Sequence, residues 1–261
     1  MSQAERADRF ALYERAVQEP AVQVRVVEDL FRAAHGRPPA DLREDFAGTA
    51  LFARTFVEGD PARRAWAVDL DPAPLAWARA RGALERVTLV EGDVLDVGPP
   101  AVPAVDVVVA LNYSFFLLAE RAHLRAYLAR AREGLRPGGA LVLEVAGGPE
   151  LQERGEEATD HGDFTFVWDQ VAFDPIHSRA RCAIHFAFPD GSELRDAFTY
   201  EWRVWSIVEL RELLAEVGFA RSVVLWEGPG ADGEGDRTFV PCERAPAEEA
   251  WIAYVVGWRA P

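Results

Sequence analysis

Three short stretches carry residue types that suit the binding of a nucleoside-like ligand. The first is Leu42-Arg-Glu-Asp-Phe-Ala-Gly-Thr-Ala50, in which Ala47, Gly48 and Ala50 are small enough to let a ligand approach the backbone. A helical pattern follows it, so the free N–H groups of a helix start point at the same place. The second is Asp69, within Val68-Asp-Leu-Asp-Pro72. A carboxylate at the end of a strand can take both hydroxyls of a ribose. Its neighbour Asp71, directly before Pro72, reads instead as a helix cap. The third is Glu91-Gly-Asp-Val94, where Asp93 offers an acceptor to an exocyclic amine such as that of adenine.

The elements needed to bring these stretches together are legible in the apolar patterning. Strands are predicted at 40–46, 65–70, 86–90, 105–111 and 140–145, with helices between them. The helix after Asp71 stops at Gly82, and the one carrying Leu124, Tyr127, Leu128 and Ala131 stops at Gly134. Ser206 and Glu209 form a capping box for a further helix, which Gly218 ends. Strands at 221–226 and 251–258 complete the series, separated by an acidic, glycine-rich loop at 227–236. The expected fold is α/β, a doubly wound, mostly parallel seven-stranded sheet with helices on both faces. In such sheets ligands bind at the C-terminal ends of the strands, where all three stretches fall.

Two regions lie outside this alternation. Residues 1–37 read as a helical cover, divided at Pro20 and stopped at His35-Gly36, leaving 38–261 as the main domain. Within it, 150–205 reads as an insertion: an acidic, solvated linker at 150–160, then an antiparallel β meander of three aromatic stretches.

Composition narrows the chemistry. The 261 residues contain no lysine, so all 28 cations are arginine, against 43 acids, for a net charge of −15. Schiff-base lysines and lysine-bearing phosphate loops are excluded. The acid excess disfavours nucleic acid and anionic membranes as partners and argues against phosphate-rich acceptors. Two cysteines, Cys182 and Cys242, are too few for a four-thiolate site. The histidines show no ligand spacing, and no metal is expected. His35 and His123 read as structural. The start of the chain lacks an apolar targeting run and no stretch is long enough to span a bilayer, so a cytoplasmic location is expected.

The chain resembles the class I S-adenosylmethionine-dependent methyltransferases over roughly residues 40–147 and again from the capping-box helix onward. Leu135-Arg-Pro-Gly-Gly-Ala-Leu-Val-Leu-Glu-Val145 is similar to their approach to strand five. Their first turn carries an acid and three spaced glycines; in register this chain has Glu44, then Phe46, Gly48 and Ala50. Leu-Arg-Glu-Asp-Phe-x-Gly-Thr-Ala is similar to the version found in one branch of the superfamily that acts on small molecules. The resemblance implies that Glu44, Phe46, Ala47 and Gly48 contact the methionine part of S-adenosylmethionine and Asp69 its ribose. Leu70 and Val94 would flank the adenine, Asp93 would meet its amine, and Asn112 would lie near the sulfonium. Tyr13 and Gln18 would close over the cofactor, as N-terminal extensions do in related enzymes.

The reaction so implied is in-line methyl transfer to a nitrogen, oxygen or other nucleophile of a small metabolite, selected by the inserted meander. It depends mostly on positioning, so no nucleophilic triad is required. Where an acceptor must lose a proton, Tyr113 and His161 are the candidate bases. One alternative is an NAD(P)-dependent oxidoreductase, which needs three spaced glycines in the first turn. Another is a sensor or scaffold that binds the cofactor without turnover. The acceptor's identity and the oligomeric state, including a homodimer, stay open.

Overall fold

The computed structural model describes residues 1–82, 85–229 and 235–261. Its main sheet begins with β1 (Asp41–Asp45), flanked by β2 (Arg64–Asp69) and β4 (Val105–Ala110), all parallel. β3 (Val87–Glu91) extends the β2 side, and β5 (Leu135–Gly147) pairs in parallel with β4. The chain therefore builds outward from β1 in one direction, then crosses back to continue from β4 in the other. That reversal opens a crevice at the C-terminal ends of β1 and β4.

β12 (Trp251–Trp258) pairs antiparallel with β5, β10 (Arg221–Pro229) with β12, and β11 (Gly235–Pro241) with β10. The order is β11-β10-β12-β5-β4-β1-β2-β3. The sheet thus has one strand more than the seven expected, because part of the loop predicted at 227–236 is hairpin; its residues 230–234 lie outside the described residues. Residues Arg136–Gly139 sit within β5 as a bulge, since Leu135 pairs with Val105 and Ala140 with Val107.

β1 is central, yet Asp41-Leu-Arg-Glu-Asp45 holds four ionisable residues, all buried. Partners make this tolerable, because a buried charge left alone is strongly destabilising. Arg64 Nε donates to Asp41 (2.9 Å), Arg43 makes a two-pronged pair with Asp45 (2.7 Å each), and Ala53 N–H donates to Glu44 (2.9 Å). Tyr127 O–H adds a third donor to Asp45 (3.0 Å).

Alternate residues of β4 serve the two faces, as strand pleating requires. Val108 and Ala110 join a core with Leu124, Tyr127 and Leu128 of α6 (Arg121–Glu133) and with Leu210, Leu213 and Leu214 of α7 (Ile207–Glu216). Val107 and Val109 meet Val27 and Phe31 of α3 (Pro20–His35) and Phe52 and Phe56 of α4 (Leu51–Glu58). The capping box of α7 forms as predicted: Glu209 N–H donates to Ser206 Oγ and Ser206 N–H to Glu209 Oε2.

The insertion is a separate sheet of four strands, not three: β6 (Gly155–Asp160), β7 (Thr165–Asp174), β8 (Arg179–Ala187) and β9 (Glu193–Arg203), in that order. β6 falls in the segment read as solvated linker, and every residue of it is exposed; it is an edge strand with no core-facing side. α2 (Arg9–Ala16) packs on this sheet through Leu12, beside Phe164, Ile184 and Phe186. Arg15 clamps Asp163 of the insertion (2.9 and 2.6 Å), while Trp77 Nε1 of α5 (Pro72–Arg81) donates to Asp8 before α2 (2.7 Å). The N-terminal segment thereby straps the insertion to the main sheet across the crevice. No helix among the described residues is long and apolar enough to cross a membrane.

Candidate active site

The crevice holds a cavity of about 830 Å³, in the range that encloses a cofactor-sized ligand. All ten residues singled out for cofactor contact line it: Tyr13, Glu44, Phe46, Ala47, Gly48, Asp69, Leu70, Asp93, Val94 and Asn112. They come from five separate segments, brought together by the strand order.

The turn after β1 sets its floor. Phe46, Gly48 and Ala50 all adopt left-handed backbone, with φ of 58°, 53° and 57°. These are the three positions at which the resembling superfamily carries glycine. The conformation is kept while two of the glycines are gone, at a strain of about 1–2 kcal/mol for each L-residue so held. Ala50 precedes α4 without a side-chain cap, so the first N–H groups of that helix remain available, except that of Ala53, which Glu44 takes. Burial pushes the Glu44 carboxyl up to about 8, against the Ala53 N–H bond, which favours the charged form.

Asp69 Oδ2 accepts from Gly48 N–H (2.6 Å) and Oδ1 from Asp71 N–H (2.8 Å), so this carboxylate ties the first turn to the second. Asp71 caps α5 through Ala73 N–H (2.9 Å), as its place before Pro72 predicts. Asp93 accepts from Leu95 N–H (2.9 Å). Val94 is buried beside it, whereas Leu70 stands 68% exposed at the rim, an uncovered apolar side chain on the cavity.

At the end of β4, Asn112 and Tyr113 are left-handed in succession (φ 51° and 57°). A buried network holds them: Asn112 N–H donates to Glu144 Oε2 (2.6 Å), Gln23 Nε2 to the same oxygen (2.9 Å), and Tyr254 O–H to Oε1 (2.9 Å). Burial raises the Glu144 carboxyl, and these three donors draw it back.

The roof comes from α2 and the insertion. Phe10 and Tyr13 face Phe198 of β9 at ring distances of 6.0 and 4.8 Å, and Tyr200 and Trp202 continue the wall. Tyr200 and Tyr13 line this wall together, and burial pushes the Tyr13 phenol up to about 12. Beyond this wall lies a second cavity of about 390 Å³, which shares Tyr13, Asn112, Tyr200 and Trp202 with the first.

The two candidate bases are not brought to the larger cavity. Tyr113 lines the second cavity, and burial, followed by the field of Glu144, pushes its phenol well above the ordinary value, so it stays protonated at neutral pH. His161 lines neither cavity; it stacks on Phe164 at 4.8 Å, on the far side of the strap. His123, expected to be structural, lines the larger cavity. Its position one turn before Tyr127 put it beside a core face, and only the packing of α6 against the crevice exposes it there. Glu156, Asp169 and His185 cluster closely enough to suggest a metal site. Both ring nitrogens of His185 are engaged, however: Nδ1 accepts from Asp196 N–H (2.8 Å), which leaves Nε2 as the donor towards Asp169 (3.4 Å).

Residues 46–139 match the family model of a methyltransferase domain. No curated protein matches the chain. Among solved structures, the amino pentose methyltransferase CalS10 of Micromonospora echinaspora, described as bound to S-adenosylmethionine, is 22% identical with a TM-score of 0.69, over 96% of each chain. The sugar N-methyltransferase KedS8 of Streptoalloteichus sp ATCC 53650 is 19% identical with a TM-score of 0.67, over 98% of this chain and 94% of its own. An S-adenosylmethionine-dependent methyltransferase of Clostridium acetobutylicum ATCC 824 is 15% identical with a TM-score of 0.70, over 96% of this chain and 98% of its own. At these identities the likeness is one of fold. The fold is the mixed α/β methyltransferase fold.

Proposed function

We propose that this chain transfers the methyl group of S-adenosylmethionine to a nucleophilic atom of a small molecule by in-line displacement. The observation that carries the reading is the convergence of the ten candidate cofactor residues on one cavity, around a turn that keeps a glycine-type backbone at Phe46, Gly48 and Ala50. The cavity also suits a polar ligand: Gln18 Oε1, Thr49 Oγ1 and Trp202 Nε1 are buried in its wall without a partner among the described residues. Unpaired buried polar atoms are destabilising, and a ligand that satisfies them removes that penalty.

When bound, the cofactor supplies a methyl group on a sulfonium, already activated toward displacement. Glu44 and the N–H groups at the start of α4 hold its amino-acid part, and Asp69 holds the ribose hydroxyls. Leu70 and Val94 cover the adenine faces and Asp93 accepts from its amine. Asn112, held by Glu144, fixes the junction between the two cavities, where donor and acceptor must meet. Tyr13 and the aromatic residues of β9 exclude water from that junction. The smaller cavity, walled by the insertion, receives the acceptor. Several structural neighbours are described as sugar or amino-sugar methyltransferases, which supports a small molecule over a polymer.

Calorimetry with S-adenosylhomocysteine and NADH tests the cofactor. Micromolar binding of the first and none of the second is expected; the reverse overturns the reading. Methylation of a compound from a metabolite panel, followed by mass spectrometry, distinguishes turnover from binding alone.

A further inference from the structure

Resting on that reading, we infer that the acceptor is a ring-bearing amine without phosphate or carboxylate groups, methylated on its uncharged nitrogen and recognised by the aromatic walls and Glu227 of the smaller cavity.

The walls are built of rings. Trp202 lies 5.6 Å from Trp168 and 4.7 Å from Tyr200, and Tyr113 meets it edge-on at 6.0 Å. Such faces hold apolar rings and attract positive charge. At about 390 Å³ the cavity fits one small molecule. Among the described residues that line it there is no arginine and no histidine, so no cationic side chain there pairs an anion. The one ionisable acid in the wall is Glu227, whose side chain is 15% exposed. Its carboxylate accepts Arg237 N–H at 2.9 Å. The half-exposed Arg237 guanidinium pairs with Glu19 at 3.0 Å and more distantly with Glu227 itself at 3.8 Å. Glu144 adds a second acid below the same wall; after burial its field does most to raise the Tyr113 phenol, with Arg237 opposing and Glu227 adding less. With an acid and no cationic side chain in the described lining, the wall favours a cation over an anion.

The lining also sorts acceptor chemistries by their need for a base. An alcohol or phenol must lose a proton on methylation. Tyr113, Tyr200 and Tyr13 remain neutral phenols, burial pushes the Cys182 thiol up to about 12, and a lone carboxylate is too weak a base for an alcohol. A free amine needs no base in the bond-forming step. The ammonium that Glu227 recognises sheds its proton to water within the site, the freed nitrogen lone pair forms the new N–CH3 bond, and the electrons of the broken S–CH3 bond stay on sulfur. The positive charge passes from sulfur to nitrogen, where Glu227 and the ring faces stabilise it as it develops.

The test is calorimetry on the full chain. S-adenosylhomocysteine is titrated first; then the saturated protein is titrated with 2-phenylethylamine, 2-phenylethanol and 3-phenylpropionate. The amine should bind at least about tenfold more tightly than the alcohol, with the carboxylate weakest, and Glu227→Gln should remove most of that preference. Gln keeps an acceptor for Arg237 N–H, and the ligand series on the unaltered chain stands without the variant. Binding of the carboxylate as tight as that of the amine, no binding of the amine, or a preference that survives Glu227→Gln overturns the inference. Failure to bind S-adenosylhomocysteine overturns instead the reading beneath it.

Discussion

Glu44 offers the most quantitative test of the cofactor site. Its carboxyl titrates at about 8 because it is buried behind the turn after β1. If it meets the amino group of the cofactor's amino-acid part, binding needs Glu44 ionised and that amine protonated. The ammonium of a free amino acid titrates above pH 8, so from pH 6 to 8 Glu44 sets the pH dependence, with an ionised fraction of about 0.5 at pH 8, about 0.09 at pH 7 and about 0.01 at pH 6. Affinity for S-adenosylhomocysteine should therefore be about fivefold lower at pH 7 and about 50-fold lower at pH 6 than at pH 8. Over this range binding releases protons, close to one per site at pH 6 and about 0.9 at pH 7, measurable by calorimetry in buffers of contrasting ionisation enthalpy. Glu44→Gln keeps an acceptor for Ala53 N–H but cannot ionise. It should lose about 1.5–3 kcal/mol of binding at pH 8, flatten the acid limb and abolish proton release. A flat wild-type profile from pH 6 to 8, or a variant that still releases protons, refutes the assignment.

The same raised carboxyl acts on the ligand-free fold with the opposite sign. Folded Glu44 holds its proton to about 8 while the unfolded group releases it near 4.5, so unfolding free energy should fall as pH rises through that window, and Glu44→Gln should reduce the slope seen in urea titrations. Asp69→Asn should weaken S-adenosylhomocysteine about ten- to hundredfold by calorimetry, since a charged acceptor is lost. Ala50→Gly gives up a buried methyl worth roughly 0.8 kcal/mol and relieves left-handed strain of about 1–2, so stability should stay level or rise slightly. Ala53→Gly, inside α4, should cost about 2 kcal/mol, and equal denaturation midpoints for the two would contradict the strain argument. Glu144→Ala leaves Gln23, Tyr254 and the Asn112 N–H without their acceptor, with an expected loss of roughly 3 kcal/mol in urea unfolding.

Much of the scaffold was legible because local rules agree along it. Asp71-Pro72, Gly134 and the Ser206–Glu209 box mark helix ends through bonds made within a few residues. The uniform apolar run of β4 signals a strand buried on both faces. The first turn was harder. Phe46 and Ala50 replace glycines that would have advertised a left-handed backbone, so the conformation persists with its usual marker erased. β6 was missed because an exposed edge strand has no apolar face to display. β1 shows the converse, for its four buried ionisable residues resemble a surface segment until Arg64, Tyr127 and Ala53 are seen to partner them.

Sequence alone determined the alternation of strands and helices from β1 to β5, the acids at the strand ends and the exclusion of lysine chemistry, since each is written in residues close together along the chain. Only the tertiary structure decided which aromatic residues form a wall, that His123 reaches the larger cavity while His161 does not, and that Tyr113 belongs to a second chamber. Tyr13 and Tyr200 meet across 187 positions of chain. A contact of that kind depends on how a strap and an inserted sheet pack over the crevice, and packing between distant segments leaves no periodic trace in either of them.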